Sequence, residues 1–99
     1  MNTHVDMSEV KYGANQMLGL IRCKMKELES DYDALCFVNA YVKDMCLHTL
    51  ENNTDKMDSL SLIFMQAAGS IWCEYSDILQ KDTRKMLSEV VDIKLSCMR

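Results

Sequence analysis

Proline is absent from this chain, glycine occurs three times in 99 residues, and there are only two histidines. At average usage about five prolines would be present, so the usual vocabulary of turns, hairpins and helix stops is missing, which argues against an all-β fold. Long apolar runs are absent too. The longest, Ala34–Val38 and Leu62–Met65, fall far short of the roughly 20 residues that span a bilayer, and no membrane association is expected. No charged-then-apolar leader precedes the five cysteines, whose number is odd, so a reduced cytoplasmic setting is expected rather than a disulfide framework.

The residue sets that carry chemistry are equally scarce. C-x-x-C pairs, Glu-x-x-His spacings and glycine-rich phosphate loops do not occur, and the nearest approach to a metal or thiol site is Cys46-Leu47-His48. Two residues apart on a helix, Cys46 and His48 point in opposite directions and cannot act as a pair. Carboxylate pairs at Glu27/Glu29, Asp31/Asp33 and Asp55/Asp58 flank the ends of expected helices, where capping explains them. No catalytic residue, cofactor, metal or small-molecule substrate is therefore expected, and the five cysteines read as small hydrophobes filling or bordering a core. Eleven basic against fifteen acidic residues leave a net charge of −4, which repels polyanions and argues against nucleic acid. The densest positive stretch, Arg22-Cys23-Lys24-Met25-Lys26, sits near a helix end, where cations complement the macrodipole.

What the chain does contain is helical periodicity. From a cap at Ser8, Val10, Ala14, Met17, Ile21, Met25 and Leu28 recur in steps of three or four, predicting a first helix over about 8–29 after a frayed 1–7. Glycines 13 and 19 weaken that helix and leave room for another to approach. Ser30-Asp31-Tyr32-Asp33 reads as a cap for a second helix over 31–51, whose apolar residues Leu35, Phe37, Val38, Tyr41, Val42, Cys46, Leu47 and Leu50 cover most of its circumference. A helix of that breadth is central in a bundle or lies in an interface. Residues 51–58 form the one loop, with Asn52 or Asn53 available for a left-handed reversal and Thr54, Asp55 or Asp58 for the next cap. A third stripe runs through Leu60, Phe64, Ala67, Ile71, Tyr75 and Ile78, with small residues at 67–70 permitting a close crossing. Lys81-Asp82-Thr83-Arg84 either ends this helix and caps a fourth, or is a polar turn on one continuous helix.

The fold class is all-α: a small antiparallel bundle of three long or four shorter helices in a single domain. Nine methionines, together with the breadth of the second helix, amount to more apolar surface than one small monomer hides, and that surplus points to a protein partner or a homodimer. Phe37, Tyr41, Leu47, Leu50 and Trp72 are the candidate partner-binding residues, with the aromatic ones as anchors. From Leu50 to Ile93, a polar turn followed by Leu60, Tyr75 and a long polar-apolar stretch resembles the helical hairpins of type III secretion needle and inner-rod subunits, departing at the turn, which lacks proline. In composition the chain also resembles small acidic phage-encoded inhibitors of host defence. The residues favour a non-enzymatic adaptor, chaperone or inhibitor that masks a partner's surface, with a secretion-associated hairpin subunit or a small nucleic-acid-binding regulator as alternatives.

Overall fold

The computed structural model describes residues 6–52 and 57–97. Four helices follow one another: α1 (Met7–Glu27), α2 (Asp31–Glu51), α3 (Ser59–Tyr75) and, after a single 3-10 turn at Ser76–Ile78, α4 (Lys81–Cys97). No strand occurs among the described residues, so the all-α helical bundle expected from periodicity is what forms.

Each start has a local cause. Asp6, not Ser8, caps α1, accepting from the Ser8 amide at 2.9 Å, and the helix begins one residue earlier than predicted. Ser30 caps α2 through the Asp33 amide at 3.3 Å, as expected. Asp58 is the residue among the three candidates that caps α3, with its Oδ1 2.8 Å from the Ser61 amide; Thr54 and Asp55 lie outside the described residues. Asn52 ends α2 without reversing hand (φ −104, ψ 19), since its own Nδ2 donates to the His48 carbonyl at 2.7 Å and tethers it to the last turn. Asn53 lies outside the described residues.

The α3–α4 junction decides the alternatives at Lys81–Arg84 in favour of a separate fourth helix and against one continuous helix. Those four residues form the first turn of α4, and Thr83 among them is fully buried. The break lies earlier, where Leu79 is extended (φ −80, ψ 146) and its side chain enters the core. Asn39 of α2 holds the corner. Its Oδ1 accepts from the Gln80 amide at 2.6 Å, while Nδ2 donates to the Ile78 carbonyl at 3.2 Å and to Leu35 at 2.8 Å. The partners at the corner are about forty positions away in the chain, beyond the reach of any local periodicity.

Register pairs fix the topology. Gly13 faces Ile63 and Arg22 meets Glu74, so α1 and α3 run parallel. Asn39 meets Gln80 and Lys43 meets Asp82, so α2 and α4 do as well. Lys94 reaches the Gln66 carbonyl, making α3 and α4 antiparallel, and consecutive helices alternate in direction throughout. The most extensive packing joins α1 to α3 and α2 to α4, and α3 also packs on α2 and α4. The central helix is thus α3, although α2 had the widest predicted stripe. Its buried Phe64, Met65, Ala67, Ala68 and Ile71 meet Ile21, Val38, Val42, Cys46, Leu87 and Val90 in one core. A Cβ on Gly13 would stand 2.7 Å from the Cδ1 of Ile63, so this glycine does set the α1–α3 approach, whereas Gly19 and Gly69 face open space.

Because Asn39 makes two bonds to the junction and one to its own helix, Asn39→Ala is expected to destabilise the protein by about 1–3 kcal/mol, the range for stranding polar groups or losing a cap. Urea unfolding followed by circular dichroism measures it, and a midpoint equal to wild type would show that the corner holds without the clamp.

Candidate interaction groove

The five residues predicted to bind a partner fall in separate places. Phe37 and Tyr41, one helical turn apart on α2, are half-buried and lean on each other with ring centroids 5.7 Å apart; burial raises the Tyr41 phenol above its ordinary pKa. Leu50 is half-buried against the core. Leu47, nine residues after fully buried Val38 and so on the opposite side of α2, stands alone and 41% exposed. Trp72 packs partly against the core from α3. No single patch contains all five, because the wide stripe of α2 is mostly absorbed by α3 and α4. Two apolar residues that periodicity passed over, Tyr12 and Leu20, are more exposed than any of the five; both lie off the buried stripe of α1, which is the signal that could have found them.

Trp72 is the member with a setting of its own. On the flank of α3 that faces α4, it forms one wall of an open groove of about 760 Å³ whose other wall is Lys81, Arg84, Lys85 and Ser88, with Gln80 and Asp82 at its end. Positions 81, 84, 85 and 88 are one face of a helix by spacing alone. Three cations in the first turns of α4 run against its macrodipole, whose N-terminal end disfavours positive charge. Asp82 is the acidic exception, and it is engaged elsewhere: its Oδ1 accepts from the Thr83 amide at 2.8 Å and its Oδ2 lies 3.5 Å from Lys43, the amide contact foremost in holding its carboxyl below the usual range. Arg84 is positioned by one bond from Nη2 to the Leu79 carbonyl at 3.1 Å, which leaves most of its five donors free. An aromatic wall beside oriented cations suits a ligand with an apolar body and anionic groups.

The remaining polar pairs are structural. Arg22 forms a two-pronged ion pair with Glu74, joining α1 to α3 through Nε to Oε1 at 2.9 Å and through Nη2 to Oε2; the Arg22 hydrogen bond lowers the Glu74 pKa. The basic stretch 22–26 is thereby divided between this bridge and the last turn of α1, where Lys24 and Lys26 lie. His48 Nε2 lies 2.8 Å from Asp58 Oδ2, yet Asp58 also caps α3 and its pKa is lowered chiefly by the Ser61 amide. Cys46 is fully buried, and burial, followed by Glu89, pushes its thiol up to about 12. No group of three or more His, Cys, Asp or Glu able to hold a metal ion occurs among the described residues. Among the described cysteine side chains, the core-filling reading holds for Cys46 alone. Cys23, Cys36 and Cys73 are exposed free thiols, each on the outward side of its helix, and the Cys97 side chain lies outside what is described. No described helix is long and apolar enough to cross a membrane. Compared with known proteins, the chain matches no protein-family model, no curated protein and no solved structure.

Two expectations follow from these environments. In native protein near about pH 8, alkylation should label Cys23, Cys36 and Cys73 and leave Cys46 unmodified until unfolding, because thiolate availability governs the reaction; peptide mass spectrometry reads it, and native labelling of Cys46 would contradict its burial. Asp58, Glu74 and Asp82 all have lowered native pKa values, so the stability they contribute is complete above the unfolded carboxylate range and is lost as pH falls through the native values. The melting temperature should therefore decline progressively below about pH 5, and Asp58→Asn should flatten part of that decline.

Proposed function

We propose that this chain is a non-enzymatic helical protein-interaction module, an adaptor, chaperone or inhibitor that acts by covering a surface of a partner protein. The observation that supports this reading is the Trp72 groove. A large aromatic side chain remains half-exposed beside three cations that its helix has no electrostatic reason to carry. Interface hot spots have this make-up, with Trp and Arg at the centre and polar groups around them.

The chemistry favours an acidic protein segment with one large apolar side chain over a nucleic acid. From Lys81 to Ser88 the cationic face extends only about 10 Å along α4, enough for two or three anionic groups. A continuing phosphate backbone would leave it for the surface of a molecule whose net charge is −4 and be repelled.

The test is affinity capture from the native host with wild-type protein, Trp72→Ala and the charge-reversed pair Lys81→Glu/Arg84→Glu, followed by quantitative mass spectrometry. Proteins enriched by wild type should fall at least tenfold with either variant, equivalent to about 1.4 kcal/mol of binding. Lys81 and Arg84 are exposed, so their reversal does not disturb the core and decides the matter should Trp72→Ala unfold. An unchanged captured set with the charge-reversed pair would remove the groove from the interface.

A further inference from the structure

The chain itself carries a segment with the chemistry the groove calls for. Between α1 and α2, Glu27-Leu28-Glu29-Ser30-Asp31-Tyr32-Asp33 brings four carboxylates into seven residues. All four are exposed, and in their midst Tyr32 is 73% exposed, the highest value of any large apolar side chain among the described residues. Capping accounts for Asp31 and Asp33 at the start of α2. Glu29, directly before the Ser30 cap, also suits the start of α2, so helix ends fail to account only for Glu27, at the C-terminal end of α1 where negative charge is disfavoured, and for the exposure of Tyr32. This corner and the groove are complementary in charge, with carboxylates crowding the first and cations lining the second, and each keeps an aromatic ring partly in water: Tyr32, whose phenol pKa is raised by its hydrogen bond to the neighbouring Cys36 thiol, and Trp72, packed on one side against the core.

Both features lie at the same end of the bundle. Since α1 runs parallel to α3 by the Gly13–Ile63 and Arg22–Glu74 pairs, the C-terminus of α1 accompanies the C-terminus of α3, and the chain turns from α3 into α4 at that end. Packing between α1 and α4 is slight, so α3 separates the corner from the groove, and Tyr32 is too exposed to be seated in its own groove. A twofold axis through this end brings the corner of each molecule to the groove of the other in one operation, which closes the assembly at two.

We propose that the occupant of the Trp72 groove is the acidic corner of a second copy of this chain: Tyr32 lies against Trp72, Asp31 and Asp33 or Glu29 pair with Lys81, Arg84 and Lys85, and the exchange is reciprocal. This rests on the groove being a protein-docking site, and it specifies the partner. A homodimer built this way covers the groove with a charged, salt-sensitive contact, which a heterologous acidic segment of higher affinity displaces.

Sedimentation velocity under reducing conditions, which remove disulfide artefacts from the exposed cysteines, provides the test. Wild type should be a dimer at high micromolar concentration and shift toward monomer in high salt. Tyr32→Ala, at an exposed site that leaves folding intact, should raise the dimer dissociation constant at least tenfold, whereas Tyr12→Ala, at a comparably exposed tyrosine on α1, should leave it unchanged. Two charge reversals complete the experiment, with circular dichroism confirming that each variant folds. One has Glu in place of Lys81, Arg84 and Lys85; the other has Lys in place of Glu29, Asp31 and Asp33. Neither should self-associate, since each presents like charges to itself, but mixing them should restore a one-to-one dimer because each groove then meets a corner of opposite sign. A monomeric wild type, a dimer indifferent to Tyr32→Ala, or two folded reversal variants that stay monomeric when mixed would each overturn the proposal. A monomeric wild type whose captured partners still depend on Lys81 and Arg84 would reject the second copy while leaving the docking groove in place. Capture unaffected by those residues would reject the groove itself.

Discussion

The structure depends on covering α3. In its 17 residues Glu74 is the single charged side chain, and apolar groups occupy three sides of the helix, so three neighbours are needed to remove them from water. Three helices supply them. Ile63 and Glu74 face α1, Phe64 and Ile71 lie in the core with Val38, Val42 and Cys46 of α2, and Trp72 lines the groove with α4. The fourth side carries Ser59, Gln66, Ser70 and Cys73, none of them fully buried. That requirement explains why the closest packing joins parallel, non-consecutive helices. α1 must lie along α3, and the chain must turn sharply after Tyr75 so that α4 can return along the other flank.

Helix existence and capping could be read locally because both are local: Ser30 and Asp58 act within three residues of themselves, and of the buried positions of α1 all but Leu18 are predicted apolar steps. The centre of the bundle could not. Counting apolar residues favours α2, and what that count leaves out is charge: α2 has Asp31, Asp33, Lys43, Asp44 and Glu51, while α3 has Glu74 alone. Weighing charged positions against apolar ones would have placed α3 inside. The α3–α4 break was hidden for a different reason. Leu79, Thr83, Met86 and Val90 continue the helical spacing, and the groups freed by the interruption are met by Asn39 from another helix, with no proline or glycine to mark it.

The predicted partner surface shows the same division. Trp72 is singled out in the sequence as an aromatic anchor, and it does line the groove. Phe37, Tyr41 and Leu50 had the same apolar signature but spend most of their surface inside the bundle, so residue type alone could not distinguish an anchor from a core neighbour. The cationic half of the groove was overlooked because Lys81–Arg84 read as turn residues. Only once they are known to open a helix does their sign become anomalous.

That anomaly is tolerated because the amides at the start of α4 are satisfied without spending the whole first turn on acids. The Gln80 amide bonds a neutral amide oxygen delivered from α2, and the Thr83 amide takes the one aspartate. With the junction held at a distance by Asn39, positions 81, 84 and 85 are released from the usual demand for negative charge and can bear three cations beside Trp72. The same long-range contact from Asn39 that holds the corner also satisfies the Gln80 amide at the start of α4, so the junction and the charged face of the groove meet at one residue.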